Sequence, residues 1–160
     1  MIKTAALFLL VFSVLLTGNA QSGSFAISIA IANNRISSGT TEEDLQINLT
    51  NISSHDLSIY SPFAETGIAQ MFDIDVRDST GASAQETSLG MYVHGKTSKQ
   101  KMTSGPTQLI SSGKTLARST NLAAIFDLTK PGTYMVQVTR SDRDRKVLVK
   151  SNVITITVTP

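Results

Sequence analysis

Five stretches of this chain alternate apolar and polar side chains with a period of two. Phe25, Ile27, Ile29 and Ile31 are separated by Ala26, Ser28 and Ala30. Leu45, Ile47 and Leu49 alternate with Asp44, Gln46 and Asn48, and Phe72, Ile74 and Val76 with Asp73, Asp75 and Arg77. The pattern returns at Tyr134, Val136 and Val138, and again at Ile154, Ile156 and Val158. Successive side chains of an extended strand point to opposite faces, so each run predicts a strand with one buried and one wet face. Leu57 and Ile59 predict a shorter strand, and residues 109–119 another, broken at Ser111-Ser112-Gly113. No long 3.6-residue period accompanies these runs; residues 123–126 suffice for one helical turn at most. Parallel pairing needs crossover connections, usually helical, so the sheets are expected to be antiparallel.

Turn-forming residues separate the runs: Asn33-Asn34, Ser37-Ser38-Gly39, Asn51-Ile52-Ser53-Ser54, Asp78-Ser79-Thr80-Gly81 and the charged tip SDRDRK at 141–146. Val147 and Val149 have the opposite parity from Ile154, Ile156 and Val158. One continuous final strand therefore has to switch its inward face near Ser151-Asn152. A bulge does this by adding one residue to one strand; a change of partner sheet is the alternative.

Ahead of the strands stands Lys3 followed by the apolar run AALFLLVFSVLL, then Gly18 and Ala20 three back and one back from a cut after Ala20. This is the grammar of a secretory signal peptide, and the run falls short of the ~20 apolar residues of a membrane span. The expected organisation is a leader over 1–20 and one domain over 21–160, secreted or periplasmic, with no membrane segment after cleavage. The chain has no cysteine, which excludes both a disulfide framework and a lipid-modified cysteine. Stability has to come from packing alone.

Of the 14 basic residues one lies in that leader, leaving the domain within one charge of neutral against 12 acids. Such a balance gives no argument for nucleic acid or an anionic membrane. The charges are segregated, however. Residues 42–86 hold nine acids and a single base, Arg77, whereas residues 87–126 hold Lys96, Lys99, Lys101, Lys114 and Arg118 and no acid.

The segment DLTKPGTY at 127–134 is the most specific motif. Its Pro-Gly pair favours a tight turn, and a tyrosine then opens a strand. In immunoglobulin-like sandwiches a tyrosine at this corner hydrogen-bonds back to backbone a few residues upstream. Together with NLTNISS, FDIDVRDSTG, LISSGKTL and SNVITITV, this segment resembles secreted bacterial immunoglobulin-like domains of the fibronectin type III sort. The chain is also similar to the Bacillus-type intracellular proteinase inhibitor domain, through Asn51-Ile52-Ser53, residues 72–81 and residues 128–134. Both resemblances imply an all-β, immunoglobulin-like antiparallel sandwich of about seven strands, and neither transfers a site residue.

Signatures of chemistry are sparse. Asp73, Asp75 and Asp78 bring carboxylates near one turn. Calcium takes six or more oxygens and alternating strands have wet positions of their own, so the spacing leaves a metal role undecided. His55 and His94 are the only histidines, placed by the pattern in a turn and a loop; zinc needs several convergent ligands. Neither a nucleophile elbow nor a phosphate-binding glycine loop occurs. Two sequons, at Asn48 and Asn51, read as strand and turn chemistry. No cofactor and no catalytic residue is expected. The candidate partner-binding loop is MYVHGKTSKQK at 91–101, with Met91, Tyr92, His94, Lys96, Lys99 and Lys101 as contacts, since sandwich-end loops carry recognition. The expected function is a non-catalytic binding or structural module of the cell envelope or extracellular space, with a protein partner. A proteinase inhibitor acting through residues 91–106 is the alternative. Carbohydrate binding is disfavoured by the lack of tryptophan.

Overall fold

The computed structural model describes residues 23–60, 70–96 and 107–160. The leader, residues 1–20, lies outside them. Among the described residues nine strands form, more than the seven the alternation predicts: β1 Phe25–Ile31, β2 Arg35–Ser37, β3 Asp44–Asn51, β4 Leu57–Tyr60, β5 Asp73–Asp78, β6 Thr107–Ile110, β7 Thr115–Asn121, β8 Gly132–Asp142 and β9 Val147–Thr159. One sheet has the order β1-β3-β7, the facing sheet β2-β9-β8-β5, and β4 pairs with β6 in a two-stranded annex. β5-β8-β9 occupies the place of strands C, F and G of an immunoglobulin-like sandwich, and β1-β3-β7 that of A, B and E. The fold is therefore an all-β, immunoglobulin-like sandwich. All pairs are antiparallel except the three-residue β2, which runs parallel to β9. No described helix is long and apolar enough to cross a membrane.

The predicted inward positions form the core. Leu45, Ile47, Leu49, Val136, Val138 and Ile156 are fully buried, and Phe25, Phe72, Ile74, Val76 and Val158 nearly so. The parity switch is a bulge: Gln137 pairs with Val153 and Thr139 with Lys150, so Val138 alone faces Ser151 and Asn152. The displaced residues are both used. Ser151 Oγ accepts from Val138 N at 2.9 Å. Asn152 turns toward the other sheet, where Oδ1 accepts from Ile29 N at 2.8 Å and Nδ2 donates to Ile29 O at 3.1 Å. One side-chain amide thereby imitates a strand residue and closes the sandwich along β1, an edge that would otherwise present unpaired backbone.

The Tyr134 hydroxyl donates to Lys130 O at 2.9 Å, which is the expected tyrosine corner. Burial, with Asp78 and Asp127 nearby, raises its pKa, so the donated proton is retained. Tyr134→Phe should lower stability by about 1 kcal/mol in a urea melt, the net worth of one such bond.

Asp142 pins the start of the domain to the β8–β9 hairpin. Its carboxylate accepts from Ser24 N and, through Oδ1, from Asp144 N and Arg145 N at 3.1 and 3.2 Å. Burial pushes this carboxyl up, but the bonds from Ser24, Arg145 and Asp144 outweigh it and hold the pKa below the ordinary value. A depressed folded-state pKa means that the unfolded chain binds more protons between the two values. The contribution is fully present above pH ~4, the unfolded value, and is lost as pH falls through the folded value. Acid titration of stability should show the parent losing more than Asp142→Asn below pH ~4; equal slopes would refute the assignment.

Candidate functional site

Around the candidate loop the chain is more ordered than its composition suggests. Thr87 starts a short helix, α1 (Ser88–Val93), whose first turn it caps by accepting from Gly90 N at 3.0 Å. Gly95, at φ +70°, ends it in the left-handed region where glycine is free of steric cost. A second turn, α2 (Leu122–Ile125), is capped by Asn121. The two dock backbone to backbone. Thr87 N donates to Ile125 O at 2.9 Å, Thr87 Oγ1 to Ala124 O at 2.6 Å, and Asp127 N to Gln85 O at 2.8 Å.

His94 departs from its expected surface loop. Its side chain is only 11% exposed, and Nδ1 lies 2.7 Å from Glu86 Oε1. The same oxygen accepts from Lys96 Nζ at 2.8 Å. Burial raises the Glu86 pKa, but the hydrogen bonds from Lys96 and His94 prevail and hold it below the usual range. An ionised carboxylate only accepts, so the imidazole proton facing it is on Nδ1. His94 Nε2 and Glu86 Oε2 are buried with no hydrogen-bond partner. Glu86, the last acid of the 42–86 stretch, directly precedes the acid-free one and is the partner of its first lysine.

Met91 and Tyr92 are exposed on α1, at 37% and 40%, beside Lys96. Lys99, Lys101 and most of the 91–106 loop considered for protease blocking lie outside the described residues. Thus the structure brings Met91, Tyr92, His94 and Lys96 together on one docked turn.

That turn forms one wall of a cleft of about 900 Å³ at the end of the sandwich. The annex strand β4, the entry to β5 and the β8–β9 hairpin form the others. Two of the chain's three tyrosines, Tyr60 and Tyr92, line it, as does exposed Leu148. Its charged members are Asp73, Arg140, Arg143 and Asp144. Arg140, hidden in the sequence by strand alternation, is half-buried. Its Nη1 donates to Met71 O at 2.8 Å and its guanidinium lies 5.4 Å from the Phe72 ring centre. Burial, and then the charge of Arg143, lower its pKa.

The three aspartates considered for a metal are spent separately. Asp75 accepts from Arg77 Nε at 2.7 Å, Asp78 closes a turn onto Thr80 and Ala82, and Asp73 lines the cleft. Among the described residues no group of three His, Asp or Glu could hold a metal ion. Asn51 is fully buried with its amide bonded internally, so the second sequon is closed in the folded protein.

No protein-family model matches the chain, and no curated protein matches it. Among solved structures, the CARDB domain of a Pyrococcus furiosus protein, in complex with di-metal ions, is similar over 86% of this chain and 89% of its own, at 8% identity and a TM-score of 0.45. A β-glucosidase from Listeria innocua, in complex with gluconolactone, is similar over 87% of this chain at 12% identity and a TM-score of 0.43, but only 16% of the enzyme is covered. The yjhA protein from Bacillus subtilis is similar over 81% of this chain and 91% of its own, at 11% identity and a TM-score of 0.37.

Proposed function

We propose that this protein is an exported binding module that engages a protein partner through the face of α1, and that it performs no catalysis. The observation that carries the reading is the juxtaposition on one docked turn of exposed Met91 and Tyr92 with Lys96, at the rim of a cleft. Exposed aromatic and methionine side chains are enriched at recognition surfaces, and a neighbouring lysine at the rim steers an oppositely charged partner. The docking of α1 on α2 keeps them in place before a partner arrives, which lowers the ordering cost of binding. Export rests on the leader grammar of residues 1–20.

Two measurements test this. N-terminal sequencing of the exported protein should begin at Gln21; an intact Met1 in that fraction would sink the export reading. Purified protein should capture a partner from the periplasm or medium. The double variant Met91→Ser with Lys96→Gln should weaken that capture at least about tenfold while leaving the melting temperature nearly unchanged, because exposed side chains contribute little to the core. Undiminished capture by the double variant would remove α1 from the interface.

A further inference from the structure

We propose that the cleft beside α1 is a carboxylate-binding site, in which Arg140 receives the acid group of a ligand whose apolar body lies against Tyr60, Tyr92 and Leu148. The inference deepens the binding reading above and rests on it only for the place of Tyr92.

The argument starts from Arg140. A guanidinium carries five N–H donors and remains charged. Of these, the Nη1 bond to Met71 O is the one hydrogen bond that the Arg140 side chain makes among the described residues. Its other neighbours are the face of Phe72 and the like charge of Arg143. It forms no ion pair with Asp73 or Asp144, although both line the same cleft. Among the described residues this half-buried charge has no counter-ion, a situation that is unfavourable and attracts one. The planar fork of arginine matches a carboxylate, two donors to two oxygens.

The cleft also selects among anions. Among the described residues its charged lining is two arginines and two aspartates, a formal balance of zero. A monoanion gains from Arg140 at modest repulsion, whereas a phosphate dianion meets Asp73 and Asp144 with twice the charge. Two tyrosines and an exposed leucine provide apolar contact for the remainder of the ligand. Such a group occurs on a free apolar acid and on the C-terminus of a protein chain.

Titration of ¹⁵N-labelled exported protein at pH 7 tests the site. The probes are 3-phenylpropionate and its amide, N-acetylglycylphenylalanine and its C-terminal amide, and inorganic phosphate. At least one acid should shift the backbone amides of Tyr92, Thr139 and Arg140, and its amide counterpart and phosphate should bind at least about tenfold more weakly. Preference for the free acid would assign the site to small molecules, and preference for the peptide acid to a chain terminus. Arg140→Gln should remove the acid-over-amide preference, and Arg140→Lys should restore part of it, a point charge replacing the fork. If neither variant folds, the acid-against-amide comparison on the parent decides alone. Equal binding of acid and amide, tighter binding of phosphate, or no shift with either acid would overturn the proposal. Loss of partner capture in the Met91/Lys96 variant with no carboxylate binding would leave the module reading standing and this one refuted; the converse would do the reverse.

Discussion

Asn51→Ala is expected to remove roughly 3–5 kcal/mol of stability, as much as truncating a large core side chain. Asn51 closes β3 and has no solvent exposure. Its Nδ2 donates to His55 O and to Ile110 O, each at 2.8 Å, and its Oδ1 accepts from Ser53 N at 2.9 Å and Ser53 Oγ at 2.7 Å. Its own backbone accepts from Gly113 N and donates to Lys114 O. One residue thus joins the end of β3, the turn into β4, the end of β6 and the β6–β7 turn. Alanine keeps the backbone bonds but strands Ile110 O in the interior, at about 1–3 kcal/mol for a buried unpaired group, and leaves half-buried Ser53 N without its acceptor, on top of the cavity left by the amide. His55 O is spared, because Ser53 Oγ lies 2.8 Å from it and, once Asn51 Oδ1 is gone, turns its single proton to that carbonyl. Aspartate would fare no better, since its oxygens would face two carbonyls where Nδ2 had donated. Urea melts should give Ser53→Ala a smaller loss than Asn51→Ala; parity between the two would show that Asn51 is not the hub of these segments.

The sandwich was legible because its determinants are local. Alternation at Phe25–Ile31 is a property of adjacent residues, and it gives the strand and its inward face together. The bulge could be read for the same reason: a change of parity within β9 has few physical solutions, and Ser151-Asn152 was where it had to occur. The strand β2 was not legible. It has three residues with one buried side chain, Ile36, and exists because β9 lies alongside it. A period cannot be read from one apolar residue.

Less of the site could be read, for related reasons. Tyr92 and Lys96 were identifiable as exposed-type residues in a charged stretch, but the helix that carries Tyr92 and ends just before Lys96 has too few residues to show a period. Its signals were its ends, Thr87 as a cap and Gly95 as a left-handed stop, and these are visible in the sequence to a reader who looks for caps before periods. The burial of His94 depends on Glu86, across the helix, and on docking to α2, neither of which composition records. Arg140 was hidden completely. It occupies a polar-looking position in a strand next to a charged hairpin, where an arginine is ordinarily solvated; only the fold brings Met71 and Phe72 against it.

Gly90→Ala separates docking from mere helix formation, because the two effects of the substitution have opposite signs. Gly90 lies inside α1, where alanine is preferred over glycine by about 1 kcal/mol. A Cβ there, however, would stand 2.1 Å from Ile125 O and 3.1 Å from Glu86 Cβ. The first contact is with a backbone carbonyl already held by Thr87 N at 2.9 Å. It has no rotamer by which to retreat, so α1 must lift from α2. Overpacking of this kind costs about 1–3 kcal/mol or more, which exceeds the helical gain. The movement carries Tyr92 and His94 with it, so partner capture and the carboxylate site should both weaken along with stability. Gly95→Ala is the matched control. Its Cβ would meet nothing within 4 Å, and its φ of +70° costs an alanine about 1 kcal/mol without pushing α1 anywhere. The expected result is therefore a destabilised Gly90→Ala with impaired binding, beside a Gly95→Ala, itself on the cleft wall, that serves as the control for stability and is only mildly destabilised. If Gly90→Ala melts at or above the parent, helix propensity has won, α1 is not held against Ile125, and the recognition face has no fixed support.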